Sequence, residues 1–388
     1  MAWMDCHLPI FHASMEPMAA SRRIPVMSWL LAASLATIPP SWAAWPDPVD
    51  SPSEAMPRAQ RSLMLDVAAL PSGRLIAVGE RGHVLVSEDD GASWRQITTP
   101  VRSTLTAVAA AGGTVVAAGH DGVILHSTDA GETWRRVREE RWSADNQMSP
   151  SNGSPLLDVL FLDGQRVLAV GAYAMVLRSN DGGATWEPVE ADLAGAAGQT
   201  GDAAGADGVH DGDEDGDSLL FHADELEVGE EVDPHLNAIT RVGDLLLMVG
   251  ERGSLFRSRD DGETWERLPF PYGGSMFGLL PLGGDSVLAY GLRGRAYQSD
   301  DAGTTWTEVD TGTTASLFGG DAGAGGEVVL VGAQGVVLRR NRGDGSFRQR
   351  VYTTEEGETP TGSAVRLRAD GSLLLVGDRG ITIWQEQP

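Results

Sequence analysis

The sequence predicts an all-β chain closed into a seven-bladed β-propeller of four-stranded antiparallel blades. Three observations carry this. An apolar run ending in glycine recurs seven times, and a second glycine follows three residues later in six of the seven. After the next short strand, five units carry the pattern S-x-D-x-G-x-[ST]-W. Self-similarity at a period near 40 residues is the signature of a blade array.

The elements follow in chain order. The runs end at Gly79, Gly119, Gly171, Gly250, Gly291, Gly332 and Gly377, so the separations are 40, 52, 79, 41, 41 and 45 residues. The later glycines are Gly82, Gly122, Gly253, Gly294, Gly335 and Gly380, with Ala174 in the third unit. In the first unit this predicts strands over 63–67, 74–78, 83–87 and 93–97. The second is apolar almost throughout, as a strand covered on both faces must be. The last unit supplies only three strands, 364–368, 372–376 and 381–385. A bare outer edge invites aggregation, so the sequence predicts a fourth strand from within 45–61, near Met56–Arg61. The prolines at 46, 48, 52 and 57 limit its length.

The five-fold pattern places Asp89 and Trp94, Asp129 and Trp134, Asp181 and Trp186, Asp260 and Trp265, and Asp301 and Trp306 in equivalent turns. Asp and Ser satisfy turn amides, Gly takes positive φ, and Trp packs between sheets. These residues therefore read as structural. In the sixth unit Arg340, Arg342, Asp344 and Phe347 stand in the equivalent places.

Composition narrows the function. The 388 residues carry a formal charge of −26, with 29 arginines and no lysine. Without lysine there is no Schiff-base or catalytic Lys and no P-loop phosphate site. The acidic balance argues against nucleic acid as a partner. Arg22 and Arg23 precede an apolar run from Ile24 to Ile38, then Pro39, Pro40 and small residues up to Ala43 and Ala44. That order reads as a secretory signal peptide over 1–43, cleaved near Ala43. The run of about 15 residues falls short of the roughly 20 that span a bilayer. A retained anchor is the alternative, and a twin-arginine signal fits less well because of Pro25. Cys6 precedes the run, so a single propeller over 44–388 would hold no thiol and would rest on its core.

Residues 190–235 form an insert between the third and fourth units, with fifteen Asp or Glu and no Arg. It lacks periodicity, so disorder is expected. Asp211, Asp213, Asp215 and Asp217 fall in a D-x-D-x-D-G stretch like the first half of a calcium loop. Position twelve is His222 instead of a bidentate Glu, and no flanking helix pattern exists. Both a weak Ca²⁺ site and a solvated acidic loop stay open, and no other cofactor is expected. His210, His222 and His235 are irregularly spaced and read as loop histidines.

The glycine-flanked turns present Arg81, Arg252, Arg293 and Arg379, against Asp121, Tyr173 and Gln334 in the other units. In a propeller these turns share a face with the blade-to-blade connections. Units seven and one, and four and five, are neighbours in a closed ring. The arginines read either as ordinary exposed-turn residues or as a basic contact patch for a partner's carboxylates. The acidic insert should leave from the same face.

The S-x-D-x-G-x-[ST]-W motif is the Asp-box, or BNR repeat. The longer stretches VGERGHVLVSEDDGASW and VGERGSLFRSRDDGETW resemble the photosystem II stability/assembly factor family, and more closely that family's relatives in heterotrophic proteobacteria. The resemblance covers roughly residues 62–384 apart from the insert. It implies a non-enzymatic, exported scaffold, periplasmic and monomeric, that holds a membrane-protein assembly intermediate or a periplasmic protein. The strong acidity and the insert depart from the family pattern. The alternative on this fold is a sialidase-like glycoside hydrolase. Arg23-Ile24-Pro25 resembles the sialidase Arg-Ile-Pro motif but lies in the signal peptide. Tyr173, Tyr272, Tyr290, Tyr297 and Tyr352 lack a recognisable Glu partner motif, and no catalytic residue is assigned.

Overall fold

A computed structural model describes residues 47–144, 153–189, 193, 233–323, 325–340 and 345–386. The expected signal peptide, the calcium-like stretch Asp211 to Asp217 with His210 and His222, and most of the insert lie outside the described residues.

Seven antiparallel sheets follow one another in sequence. Blade 1 comprises β1 (Met64–Ala69), β2 (Leu75–Gly79), β3 (Val84–Ser87) and β4 (Arg95–Ile97). Blade 2 comprises β5 (Leu105–Ala111), β6 (Thr114–Gly119), β7 (Ile124–Ser127) and β8 (Arg135–Arg138). Blade 3 comprises β9 (Leu156–Phe161), β10 (Val167–Gly171), β11 (Val176–Ser179) and β12 (Glu187–Pro188). Blade 4 comprises β13 (Leu236–Val242), β14 (Leu245–Gly250), β15 (Leu255–Ser258) and β16 (Glu266–Arg267). Blade 5 comprises β17 (Met276–Gly283), β18 (Ser286–Gly291), β19 (Ala296–Ser299) and β20 (Thr307–Val309). Blade 6 comprises β21 (Leu317–Ala322), β22 (Val328–Gly332), β23 (Val336–Arg340) and β24 (Phe347–Val351). Blade 7 has three strands, β25 (Gly362–Leu367), β26 (Leu373–Gly377) and β27 (Gly380–Trp384).

The first strand of each blade touches the first strand of the next, and β25 touches β1, so the ring is closed. The second strands β2, β10, β22 and β26 are buried at every residue. The recurring glycine at their ends has a steric cause. A Cβ on Gly79 would sit 2.2 Å from the carbonyl oxygen of Leu63, in the linker entering β1. The equivalent glycines meet the equivalent linkers at 2.0–2.4 Å.

The Asp-box turns fasten blade to blade. Ser87 donates to Asp89 at 2.8 Å, and Asp89 accepts the amide and hydroxyl of Ser93 at 2.8 and 2.6 Å. The indole N–H of Trp94 donates to the carbonyl of Gly91 at 3.0 Å. Gly91, at φ 85°, lies against Leu374 of blade 7. In the same way Gly131 lies on Ile76, Gly183 on Val116, Gly262 on Leu168 and Gly303 on Leu247. Each box thus packs on the second strand of the preceding blade, and the box of blade 1 closes the ring. Arg368 of blade 7 adds an ion pair to Asp90 at 3.1 Å, and Ser363 donates to the carbonyl of Met64 at 2.7 Å.

The expected closing strand near Met56–Arg61 does not form. Residues 59–61 make a single 3₁₀ turn instead. The backbone of Gln60 and Arg61 packs on Gly380 as the linker residue Val101 packs on Gly82. The segment therefore supplies the missing inter-blade linker, while the residues before it turn to blade 1. The amide of Ser53 donates to the carbonyl of Thr99 at 2.9 Å, and that of Met56 to the Gln96 side chain at 2.8 Å. Pro48, Pro52 and Pro57 lack the amides a ladder needs, which suits an irregular path better than a strand.

Candidate functional site

The second-to-third turns and the blade linkers share one face. A Cβ on Gly82 would meet the carbonyl oxygen of Val101, and one on Gly294 that of Thr313, both linker atoms. The Asp-box turns sit at the opposite end, where the amide of Ala130 bonds the carbonyl of Gly113 in the first turn of its blade.

Arg81, Arg252 and Arg293 occupy the middle of their turns in the left-handed conformation, at φ 55°, 54° and 57°. All three are exposed. Arg379 departs from the pattern. Gly377 pairs directly with Gly380, so its turn is a two-residue hairpin and its φ is not positive. Its guanidinium is exposed and pairs with Glu358 at 2.6 Å.

The carboxylates next to Arg81, Arg252 and Arg379 accept backbone amides. Glu80 accepts the amide of Leu63 at 3.3 Å, Glu251 that of His235 at 3.5 Å, and Asp378 that of Thr361 at 3.1 Å. Each ties the entrance of an inner strand to the turn that follows, while the neighbouring arginine points out. The remaining turns present Asp121, Tyr173 and Gln334 between them. The Tyr173 ring meets His235 edge-on at 5.0 Å.

The insert is anchored on this face. The amide of Val189 bonds the carbonyl of Val176, and the amide of Ala174 bonds the carbonyl of Pro234. Its last described residue before blade 4, His235, accepts the amide of Glu251 through its carbonyl. The insert thus leaves beside Val176 and returns between Tyr173 and the Arg252 turn. Leu193 within it is buried with Val176, Leu236 and Phe256.

A second feature was missed by the sequence reading. Asp66, Asp158 and Asp321 lie on inner strands, each with one oxygen on the next amide of its own strand and one on the next blade. Asp66 accepts from Val67 at 2.7 Å and Val108 at 2.8 Å. Asp158 accepts from Val159 at 2.8 Å and Ile239 at 2.9 Å, and Asp321 from Ala322 at 3.0 Å and Leu367 at 2.7 Å. These clamps join blades 1 to 2, 3 to 4 and 6 to 7. Burial raises the carboxyl of Asp158 to about 7, against the lowering effect of the Ile239 amide and with the charge of Asp66 adding to the rise. Burial also raises Asp66. The Tyr290 hydroxyl is pushed up by burial and by these three carboxylates. An aspartate at the third residue of two otherwise apolar inner strands was the available signal.

Residues 48–144 match the family model for the photosynthesis system II assembly factor YCF48. That stretch, about a quarter of the chain, is similar to the photosystem II assembly factor family. Among solved structures, the chain resembles YCF48 bound to a D1 peptide, at 14% identity and TM-score 0.56, covering 83% of this chain and 91% of that one. It resembles YCF48 from Cyanidioschyzon merolae at 13% identity and TM-score 0.57, covering 84% and 96%. The WD40 propeller domain of Doa1 aligns at 11% identity and TM-score 0.57, covering 87% and 96%. At these identities the structural likeness speaks for the fold. No curated protein matches the chain.

Proposed function

We propose that this chain is a non-enzymatic, exported scaffold that docks an acidic segment of a membrane-protein subunit on its arginine-turn face during assembly. The observation that carries the reading is the outward display of Arg81, Arg252, Arg293 and Arg379 on one face, with the adjacent carboxylates Glu80, Glu251 and Asp378 turned into the backbone. Guanidinium groups suit carboxylate recognition because they present paired donors in a plane. The family match and the D1 peptide carried by the related YCF48 structure support a peptide partner of this kind. The work calls for no cofactor and for one copy of the chain, in the periplasm after removal of residues 1–43.

The test uses a synthetic acidic peptide ending in a free carboxylate. Calorimetry at low salt should give saturable binding that weakens at least tenfold in Arg252→Ala with Arg293→Ala. Equal binding by the double variant would overturn the proposal. Export is checked separately, by sequencing the N-terminus of the protein recovered from the periplasm.

A further inference from the structure

We propose that the open outer edge of blade 7 takes an extended, acidic segment of a partner protein as its fourth strand. The other six blades each have a fourth strand outside the third. In blade 7 no strand takes that place among the described residues: the 3₁₀ turn Ala59–Arg61 meets β27 at Gly380, and residues 53–56 bond to the outer part of blade 1 instead. The Gly377–Gly380 hairpin pairs its flanking residues, so hydrogen bonding to β26 alternates through Gly380, Thr382 and Trp384. Ile381 and Ile383 then direct their N–H and C=O groups outward. Neither has a described backbone partner on that side. Such an edge is a template for strand addition.

The flanks of the edge are built for a strand. Ile383 is 38% exposed on β27, and Val351 is 48% exposed on β24 of blade 6. The Tyr352 and Trp384 rings meet at 6.1 Å between the two blades. Beside the head of β27 an apolar slot of about 40 Å³ opens, walled by Val331, Val337, Tyr352, Leu375 and Thr382. It has room for one small side chain of an alternating segment.

Charge selects the occupant. β23 and β24 beside this edge carry Arg339, Arg340, Arg348 and Arg350 and no carboxylate. Glu386 bridges Arg339 and Arg350 at 3.5 and 3.0 Å, and Arg348 is exposed. In a chain of net charge −26 this is a local basic rim. Pairing of β27 with a second copy would bring two strongly acidic molecules together. An acidic partner segment gains from the same field. Arg379 of the proposed docking face also lines the slot, whereas Arg81, Arg252 and Arg293 lie on other blades and the strand-addition edge does not depend on them.

The experiment uses the full-length protein and a short labelled peptide alternating valine with glutamate. Anisotropy should give saturable binding, and hydrogen exchange at the outward amides of Ile381 and Ile383 should slow when peptide is added. The same peptide N-methylated on alternate amides should bind at least tenfold more weakly, as should its lysine-for-glutamate counterpart. Ile383→Pro removes an outward N–H that the free protein leaves unbonded, so it should fold normally and lose the peptide. Arg252→Ala with Arg293→Ala should leave this binding intact. Three results would each overturn the proposal. One is no binding, or binding indifferent to N-methylation. Another is protection of the Ile381 and Ile383 amides in the peptide-free protein, which would mean the chain fills the edge itself. The third is a concentration-dependent dimer abolished by Ile383→Pro.

Discussion

The carboxylate of Asp158 on blade 3 accepts the amide of Ile239 on blade 4 at 2.9 Å, so one side chain spans two neighbouring sheets. Its other oxygen takes the Val159 amide at 2.8 Å. Asp158→Asn keeps the shape but turns an NH₂ group toward one of these donors. It should cost about 1–3 kcal/mol, the penalty of a buried donor left unpaired. The pH dependence has a definite sign. Burial lifts this carboxyl to about 7 in the folded protein, well above the usual carboxylate range. The folded state then holds the proton more tightly, so the group's contribution is full below about pH 4 and is lost as pH rises through 7. Denaturant unfolding at pH 5 and pH 8 should show the gap between wild type and Asn variant shrinking at the higher pH.

His83 is fully buried in blade 1, and neither ring nitrogen has a hydrogen-bond partner among the described residues. The matching positions of blades 2 and 6 hold Val123 and Val336, both buried. Burial pulls the imidazole below its usual 6.5, so the protein must lose stability as pH falls beneath that value. His83→Val should therefore stabilise by about 1–3 kcal/mol. The gain should grow from pH 7.5 to pH 5.5, measured by thermal unfolding at each.

Asp129 and Trp134 make the same turn but act differently. Trp134 packs across the blade 1–blade 2 boundary, and Trp134→Ala should cost about 3 kcal/mol. Asp129 binds the hydroxyl and amide of Thr133 and the Ser127 hydroxyl, and Asp129→Ala should cost about 1–2 kcal/mol. The Thr133 bonds hold this carboxyl at about 2, so its contribution is present above about pH 4 and disappears as pH falls through 2. Melting curves at pH 5 and pH 2.5 should show the Asp129 difference shrinking in acid and the Trp134 difference persisting.

What the sequence made legible was whatever repeats. Blade count, strand order and the Asp-box turns all follow from residues that recur at one spacing, because every blade solves the same packing problem. The closure did not repeat and was misjudged. An unpaired edge argued for a strand, but the linker slot against Gly380 was equally vacant, and residues 59–61 fill that one. Arg379 was grouped with three other arginines by sequence, although its hairpin lacks the 3₁₀ turn of the Arg81 and Arg293 positions. The clamps at Asp66, Asp158 and Asp321 depend on amides about 40 to 80 residues away, which no local pattern announces.

The arginine turns and the insert can be separated from stability. Arg293 sits at φ 57°, where a glycine is at ease, so Arg293→Gly should leave the melting temperature no lower while removing a charge from the face. The insert should act against the partner. Its returning end lies between Tyr173 and the Arg252 turn, so fifteen carboxylates attached there would compete for the same guanidinium groups. Between solvated charges that competition is modest and fades beyond a Debye length of about 8 Å at physiological salt. A useful deletion must spare Leu193, which is buried between blades 3 and 4. Removing residues 195–231 should strengthen binding of the acidic peptide several-fold at low salt and much less at physiological salt. Adding Arg252→Ala and Arg293→Ala should erase the gain. Calorimetry on the four proteins decides the matter, and an unchanged affinity after deletion at both salt concentrations would reduce the insert to a solubilising segment.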